Sequence, residues 1–184
     1  MAAVVPAGTI PDMTQDTVQQ NIIATLQRLG LELRNPAAIC AGEYEAYFIL
    51  TAKDDDYRPA FSHVLAYDTE MIEEDDSYTG WVHDWARATG KQDRVTDVAA
   101  HVDFDDEGPS WLTYRLDGRD VRLEFTQEGD WLDPDVYDRV LKDFGTIPGR
   151  TRLFVDSGQS GVYIWVPDDN VAEFTELIPD AVVA

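Results

Sequence analysis

Cysteine and long apolar runs are the scarcest features of this sequence of 184 residues. The single cysteine, Cys40, cannot form an internal disulfide, which predicts a reducing, cytoplasmic location. No stretch approaches the roughly 20 apolar residues that a membrane-spanning helix needs. Residues 1–11 also lack the basic start and the long apolar run of a signal peptide. We therefore expect a cytoplasmic protein without a membrane partner.

Basic residues are few in comparison with acidic ones. The chain has 36 Asp and Glu against 14 Lys and Arg, a formal net charge of −22. Only three of the basic residues are lysines, and 25 of the acidic ones are aspartates. Such a surface repels nucleic-acid phosphate and attracts basic proteins, so we expect a basic protein partner and no nucleic acid. Solubility alone, adaptation to high salt or a GC-rich genome would give the same composition.

The motifs of catalysis and cofactor binding are missing as well. The histidines, His63, His83 and His101, show no metal-ligand spacing, and Cys40 is expected to be a small buried residue. Neither GxxxxGK[ST] nor GxGxxG occurs. Residues 157–161 resemble a nucleophile elbow in composition, but two predicted strands flank them, which favours a hairpin loop. The sequence thus predicts a non-enzymatic protein without catalytic residues, metal or cofactor.

A metal-dependent hydrolase or nuclease is the alternative enzyme class. Asp120, Glu124 and Lys142 could form such a site, since it needs paired carboxylates near a lysine. Asp103, Asp105 and Glu107 alternate with a spacing that could bind a divalent cation. The EF-hand pattern fails there, because no Glu occupies the twelfth position. An acidic adaptor or nucleic-acid mimic, which would bind many basic proteins, is the second alternative.

The hydropathy pattern predicts one α+β domain over residues 1–184. The 44% of hydrophobic residues is enough to fill a core at this length. Residues 60–184 form the expected core, and residues 1–59 are a possible N-terminal extension of helix and strand. Apolar stripes with helical spacing predict helices at Thr14–Leu29, Tyr78–Thr89, Asp133–Phe144 and Pro167–Leu177. Thr14 and Ser77 are the expected caps of the first two helices. The aromatic content of Glu43–Ala52 favours a strand, with a helix over Ala37–Ala46 as the alternative.

Two hairpins give the clearest strand signals. Asp117-Gly118 separates two alternating runs and suits a type I′ turn, because both central residues need a positive φ. A second hairpin is predicted around residues 156–161. The sequence therefore predicts a mainly antiparallel sheet with two hairpins, flanked by three or four helices. The expected strands are Ala60–Tyr67, Val95–Val102, Ser110–Leu116, Arg119–Thr126, Arg152–Val155 and Val162–Val166.

A series of short motifs runs in a fixed order from about Phe61 to Ile178. The motifs are Tyr67-Asp68-Thr69-Glu70, Ser77-Tyr78, Val98-Ala99-Ala100-His101-Val102-Asp103, Leu116-Asp117-Gly118-Arg119, Asp130-Trp131-Leu132-Asp133-Pro134 and Gly158-Gln159. In this order they resemble small bacterial immunity proteins of polymorphic toxin systems. The resemblance covers about two thirds of the chain. It implies a protein that neutralises a toxin domain by tight stoichiometric binding, often over the active site of the toxin.

The predicted contact surface consists of two acidic runs. Residues 54–107 carry 16 acids and 4 bases, a local net charge of −12, against −10 for the rest of the chain. Acidic groups of this density accelerate association with a basic partner. The residues predicted to bind the partner are Glu73, Glu74, Asp75 and Asp76 in the first run and Asp103, Asp105, Asp106 and Glu107 in the second.

One tryptophan joins this predicted surface. Trp131 lies between Asp130 and Asp133. It is either a partly buried residue at a helix start or an exposed anchor, since aromatic rings among carboxylates make effective contact points for basic partners.

Overall fold

A computed structural model of the protein describes residues 15–105 and 108–184. Within these residues it contains five α-helices and two sheets, which confirms the α+β prediction. The helices are α1 Gln15–Arg28, α2 Ala46–Thr51, α3 Asp75–Ala88, α4 Pro134–Phe144 and α5 Val171–Leu177. The strands are β1 Val64–Asp68, β2 Val95–His101, β3 Ser110–Leu116, β4 Arg119–Phe125, β5 Arg150–Ser157, β6 Ser160–Pro167 and β7 Val182–Val183.

The strands divide into two sheets, and every pairing is antiparallel. The larger sheet has the order β1-β6-β5-β7, and the smaller one has the order β2-β3-β4. Both predicted hairpins are confirmed. Asp117 and Gly118 have φ values of 52° and 77° between β3 and β4, as a type I′ turn requires. The β5–β6 hairpin turns at Gly158 (φ 83°), so residues 157–161 are a hairpin and no nucleophile elbow.

Both faces of the larger sheet are covered. Along β6, Tyr163 and Trp165 face one hydrophobic core, whereas Val162, Ile164 and Val166 face the other. This alternation follows from the two-residue period of a strand. Because helices lie on each face, the strand reads as an almost continuous apolar run.

The first core lies between the two sheets and is filled by α3 and α4. Trp81 and Trp85 of α3 are fully buried beside Trp165. The ring centroid of Trp85 lies 5.8 Å from Trp81 and 5.7 Å from Trp165, both edge to face. Such edge-to-face pairs add to the burial of apolar area. This aromatic packing fixes the position of α3 between the sheets.

The second core lies on the outer face of the larger sheet. It is formed by α1, α2 and α5 together with residues of β1, β5 and β6. The segment before residue 60 therefore supplies one side of this core. Its fully buried residues include Leu26, Leu29, Ile49, Leu50, Ile164 and Phe174.

The predicted strand at Glu43–Ala52 is wrong, because residues 46–51 form α2. Ile49 and Leu50 are both fully buried in the second core. A strand would turn these neighbours to opposite faces, whereas adjacent residues of a helix are about 100° apart and can both lie within a broad buried face. Packing therefore overrides the strand preference of the aromatic residues.

Two further expectations are corrected. Ser77 is not the cap of α3 but lies inside its first turn, where its hydroxyl accepts hydrogen bonds from the Glu73 and Glu74 N–H groups (3.1 and 3.3 Å). Asp75 and Asp76 precede it, as the positive end of a helix favours. Cys40 is exposed, since its loop turns Ala38 inward instead. The predicted cap of α1, Thr14, lies outside the described residues.

The start of α4 is as predicted. The Asp133 carboxylate accepts from the Asp135 and Val136 N–H groups (2.9 and 3.0 Å), and Pro134 occupies the first helical position. Across residues 15–105 and 108–184, none of the helices has the length and apolar character that crossing a bilayer demands.

Candidate functional site

Three segments meet around the first turn of α3. The Asp75 carboxylate accepts a hydrogen bond from the Val102 N–H (2.5 Å), which holds the end of β2 against the helix. The Tyr78 hydroxyl donates to Gln127 (2.9 Å) and accepts from the Asp133 N–H (3.0 Å). Residues 70–76, 102–105 and 127–133 therefore lie side by side.

The third of these segments is also tied to the residues before α3. The Ile72 N–H donates to the Asp130 carbonyl (2.9 Å), and the Leu132 N–H donates to the Thr69 carbonyl (2.7 Å). The Gln127 amide closes the loop from inside by donating to the Trp131 carbonyl (2.8 Å). This loop is consequently held in place by buried polar contacts.

We call the resulting surface the acidic face. It carries ten acidic residues and no Lys or Arg, and within the described residues nine of the ten form no ion pair. Elsewhere, exposed carboxylates are often paired with arginines on neighbouring strands, as at Asp97 and Asp120. The nine are Glu70, Glu73, Glu74, Asp76, Asp103, Asp105, Glu128, Asp130 and Asp133. The tenth, Asp75, lies 3.5 Å from the His101 ring.

The structure thus brings the two predicted acidic runs together. Residues 73–76 are all exposed, and Asp105 is exposed across from them. Asp103 has a structural role, because its carboxylate accepts from the N–H groups of Asp105 (3.0 Å) and Gly108. Asp75 is likewise occupied by Val102. Asp106 and Glu107 lie outside the described residues.

Two exposed aromatic rings lie on the acidic face. Trp131 is 44% exposed, and Phe104 is 48% exposed. Sequence analysis did not single out Phe104, although the signal was there: it is an isolated aromatic residue between Asp103 and Asp105. Large exposed rings among unpaired charges are typical of contact surfaces.

A cavity of about 390 Å³ lies at the opposite end of α3. We call it the β1 cleft, because Val64, Leu65 and Ala66 of β1 form part of its wall. Four of the 14 basic residues of the chain line it: Arg34, Lys53, Arg58 and Arg87. Sequence analysis missed this site, since these residues are scattered over 54 positions.

Lys53 is one of the residues that line the cleft. Its ammonium donates to the Ala66 carbonyl (2.8 Å), and within the described residues it forms no ion pair. Although the residue as a whole is accessible, desolvation lowers the pKa of this ammonium. A second, shallower hollow of about 320 Å³ shares Lys53 and Ala66 and continues along β1.

His63 contributes an imidazole with a fixed tautomer. Its Nδ1 lies 2.9 Å from the Ala88 carbonyl, which can only accept, so Nδ1 carries the proton. Desolvation lowers the pKa of His63, so the ring is held neutral and Nε2 is an acceptor. The residue has a φ of 60°, which only a few non-glycine residues adopt. This backbone turn is also why β1 begins at Val64 instead of at the predicted Ala60.

The cleft also contains the free edge of the larger sheet. The Trp165 N–H donates to the His63 carbonyl (3.0 Å), so His63, Leu65 and Tyr67 direct their backbone groups toward β6. In an antiparallel pair the intervening residues point the other way. The N–H groups of Val64 and Ala66 therefore face the open edge, on the side where Lys53 lies.

Both carboxylates of the alternative enzyme site are engaged in ion pairs with arginines, not with Lys142. Asp120 pairs with Arg115 (2.7 Å), and Glu124 pairs with Arg122 (2.8 Å). In the described parts of the chain, no group of three or more His, Cys, Asp or Glu residues could hold a metal ion. Comparisons with protein-family models, curated proteins and solved structures found no match.

Proposed function

We propose that this chain is a non-enzymatic binding protein that neutralises a basic partner, of the kind found among immunity proteins of polymorphic toxin systems. The observation that carries the proposal is the acidic face: nine carboxylates without an ion pair in the described chain and two exposed rings at the N-terminal end of α3. The toxin as partner is suggested by the resemblance of residues 61–178.

The charge distribution supports a basic partner. The negative charge of a carboxylate without an ion pair is not cancelled by a neighbouring base. The resulting electrostatic potential raises the rate of association with a cationic surface. A toxin that acts on nucleic acid needs a basic cleft for its substrate. An acidic surface can occupy such a cleft in place of the substrate.

The construction of the face supports tight binding as well. The backbone on either side of Trp131 is fixed by hydrogen bonds from Gln127 and Leu132. The Asp103 carboxylate fixes the loop that carries Phe104. A surface that is already ordered loses little conformational entropy when it binds.

The first experiment is co-expression of the chain with the product of the neighbouring gene. We expect the two proteins to copurify as a stoichiometric complex in which the toxicity of the partner is suppressed. Failure to bind or to protect would contradict the proposal. Equal binding to unrelated basic proteins of similar charge would instead favour the acidic adaptor.

A charge-matched pair of variants tests whether the acidic face is the surface used. The first variant combines Glu73→Gln, Glu74→Gln and Asp76→Asn, and the matched control is Asp169→Asn, Glu176→Gln and Asp180→Asn. Both sets lie on exposed residues and remove three negative charges. We expect the first to slow association by about tenfold at low salt and the control to change it much less. Equal effects in stopped-flow measurements would show that only net charge matters.

A further inference from the structure

We propose that the β1 cleft binds a small organic anion, a carboxylate or phosphate monoester that carries an apolar group. This inference does not depend on the proposed function. It follows from cationic groups, hydrogen-bond donors and apolar wall residues that one cavity of about 390 Å³ brings together.

The concentration of positive charge is unexpected in a chain with a net charge of −22. Arg87 lies in the last turn of α3, where the negative end of the helix favours a cation. That effect does not account for Arg34, Lys53 and Arg58, which come from other segments. The four bases outnumber the two carboxylates that line the cleft, Asp54 and Asp84, so its lining has a net positive charge.

The basic groups are available to a ligand. Arg34, Arg58 and Arg87 pair with Glu32, Asp56 and Asp84 at 3.0, 2.9 and 2.6 Å. All three pairs are exposed, with at least 42% of each side chain accessible. Exposed pairs contribute little to stability, so the guanidinium groups can turn to a bound anion at small cost.

Two carboxylates line the cleft, Asp54 and Asp84. Asp84 pairs with Arg87, and its charge partly offsets the lowering of the Lys53 pKa by desolvation. Asp54 accepts hydrogen bonds from Asn35 (2.8 Å) and from the N–H groups of Asp56 (3.0 Å) and Arg58 (2.8 Å). These bonds shape the loop that carries Arg58. Asp54 thus acts as a support for the cleft and does not neutralise Lys53.

Donors for the oxygens of an anion lie at the bottom of the cleft. The Lys53 ammonium has one carbonyl partner, Ala66, and can donate two further hydrogen bonds. The N–H groups of Val64 and Ala66 face the same edge. Lysine at a sheet edge also prevents pairing with other strands. Protection of the sheet edge explains the hydrogen bond from Lys53 to Ala66. It does not explain why three arginines line the same cleft.

Part of the wall of the cleft is apolar, so a ligand with an apolar group is complementary to it. Phe61, Val64 and Leu65 line it and are buried. The volume falls within the range of roughly 300–1,000 Å³ that small-molecule sites occupy. An aromatic acid or an aryl phosphate meets both the charge and the apolar wall.

The test uses phenyl phosphate, benzoate, inorganic phosphate and phenol as probes of the full chain. Titrations would be followed by calorimetry and by the NMR signals of the His63 ring. We expect saturable binding at one site by phenyl phosphate or benzoate, about tenfold tighter than by inorganic phosphate or phenol. The comparison of phenyl phosphate with benzoate identifies the acid group. Absence of saturable binding by either up to roughly 10 mM would overturn the proposal.

Matched variants locate the site. Lys53→Met should weaken binding by about tenfold or more, whereas Lys53→Arg should largely retain it. Lys142→Met is the control, because Lys142 is an exposed lysine of α4 outside the cleft. Equal loss in Lys53→Met and Lys142→Met, or no loss in Lys53→Met, would contradict the proposal. Circular dichroism of each variant separates loss of binding from loss of the fold, and Lys53→Arg decides the matter if Lys53→Met unfolds.

Discussion

The two ends of α3 differ in almost every property that governs binding. At the N-terminal end, ten acidic residues and two exposed rings form an open surface without Lys or Arg. At the C-terminal end, four basic residues surround a concave cavity. A helix of this length separates its ends by about 20 Å, well beyond the Debye length of about 8 Å in physiological salt.

The comparison shows that the net charge of the chain describes only one of the two ends. A value of −22 predicts the acidic face but conceals the β1 cleft. The dipole of α3 favours this arrangement of charges, since helices stabilise anions near the first turn and cations near the last. The two ends should therefore respond separately to substitution, except where they share the support of α3.

The largest expected effect comes from the shared support. Trp85→Ala removes a fully buried ring that contacts Trp81, Trp165 and Tyr163. We expect a loss of about 3–5 kcal/mol in the free energy of unfolding, and both ends should lose their structure together. Urea denaturation measures the loss. If Trp85→Ala unfolded only one end, α3 would not be the shared support of both.

Tyr78→Phe should disturb only the acidic end. Without the hydroxyl, the Asp133 N–H and the Gln127 side chain lose a partner in a buried position. We expect a loss of about 1–3 kcal/mol in stability. Hydrogen exchange should accelerate in residues 127–133 and remain unchanged around Lys53. Equal acceleration at both ends would contradict the separation.

The pH dependence of stability should depend on His63, which lines the β1 cleft at the C-terminal end of α3. Because burial lowers the pKa of His63 below its ordinary value, the folded state favours the neutral ring. The associated stability is present above about pH 6.5, the ordinary pKa, and is lost as the pH falls through the lower folded value.

His63→Asn should remove this pH dependence of stability, because the asparagine side chain does not titrate in this range. Asparagine is chosen because it tolerates the positive φ of this position. Denaturation between about pH 7.5 and 5.5 should therefore show a stability difference from the wild type that narrows as the pH falls. His83→Asn, an exposed histidine of α3, is the control. A constant difference for His63→Asn would show that the ring is not held neutral.

The smallest effect on stability is expected at the surface of the acidic face. Trp131→Ala removes a side chain that is 44% exposed, so the free energy of unfolding should change by less than about 1 kcal/mol. The same variant should weaken partner binding by more than that amount, since exposed rings at contact surfaces contribute strongly. Calorimetric unfolding and a binding titration make the comparison. Equal changes in both would mean that the ring is structural.

Local signals predicted much of the fold. Asp117-Gly118 and Asp133-Pro134 specify a turn and a helix start through their own backbone chemistry, and both predictions are confirmed. The short run at residues 46–51 does not carry such a signal, because strand and helix patterns coincide over so few residues. Its helical form is decided by the second core, which no local pattern contains.

The two candidate sites depend on contacts between distant parts of the chain. Asp75 and Val102 are 27 positions apart, and Tyr78 and Asp133 are 55 positions apart. Sequence analysis identified the acidic runs by composition but not their proximity. The β1 cleft was not identified, since Arg34, Lys53 and Arg87 have no common spacing. Only the folded sheet edge and the end of α3 bring them together.

The uneven exposure of the tryptophans gives the molecule an optical property. Trp81, Trp85 and Trp165 are fully buried, and Trp111 lies half-buried beneath the Arg122 guanidinium at 5.2 Å. Trp131 is the only one of the five tryptophans with a largely accessible side chain. Its carboxylate surroundings attract caesium ions and repel iodide, so collisional quenching of its emission depends on the sign of the quencher. Fluorescence therefore reports directly, without any label, whether the acidic face is occupied.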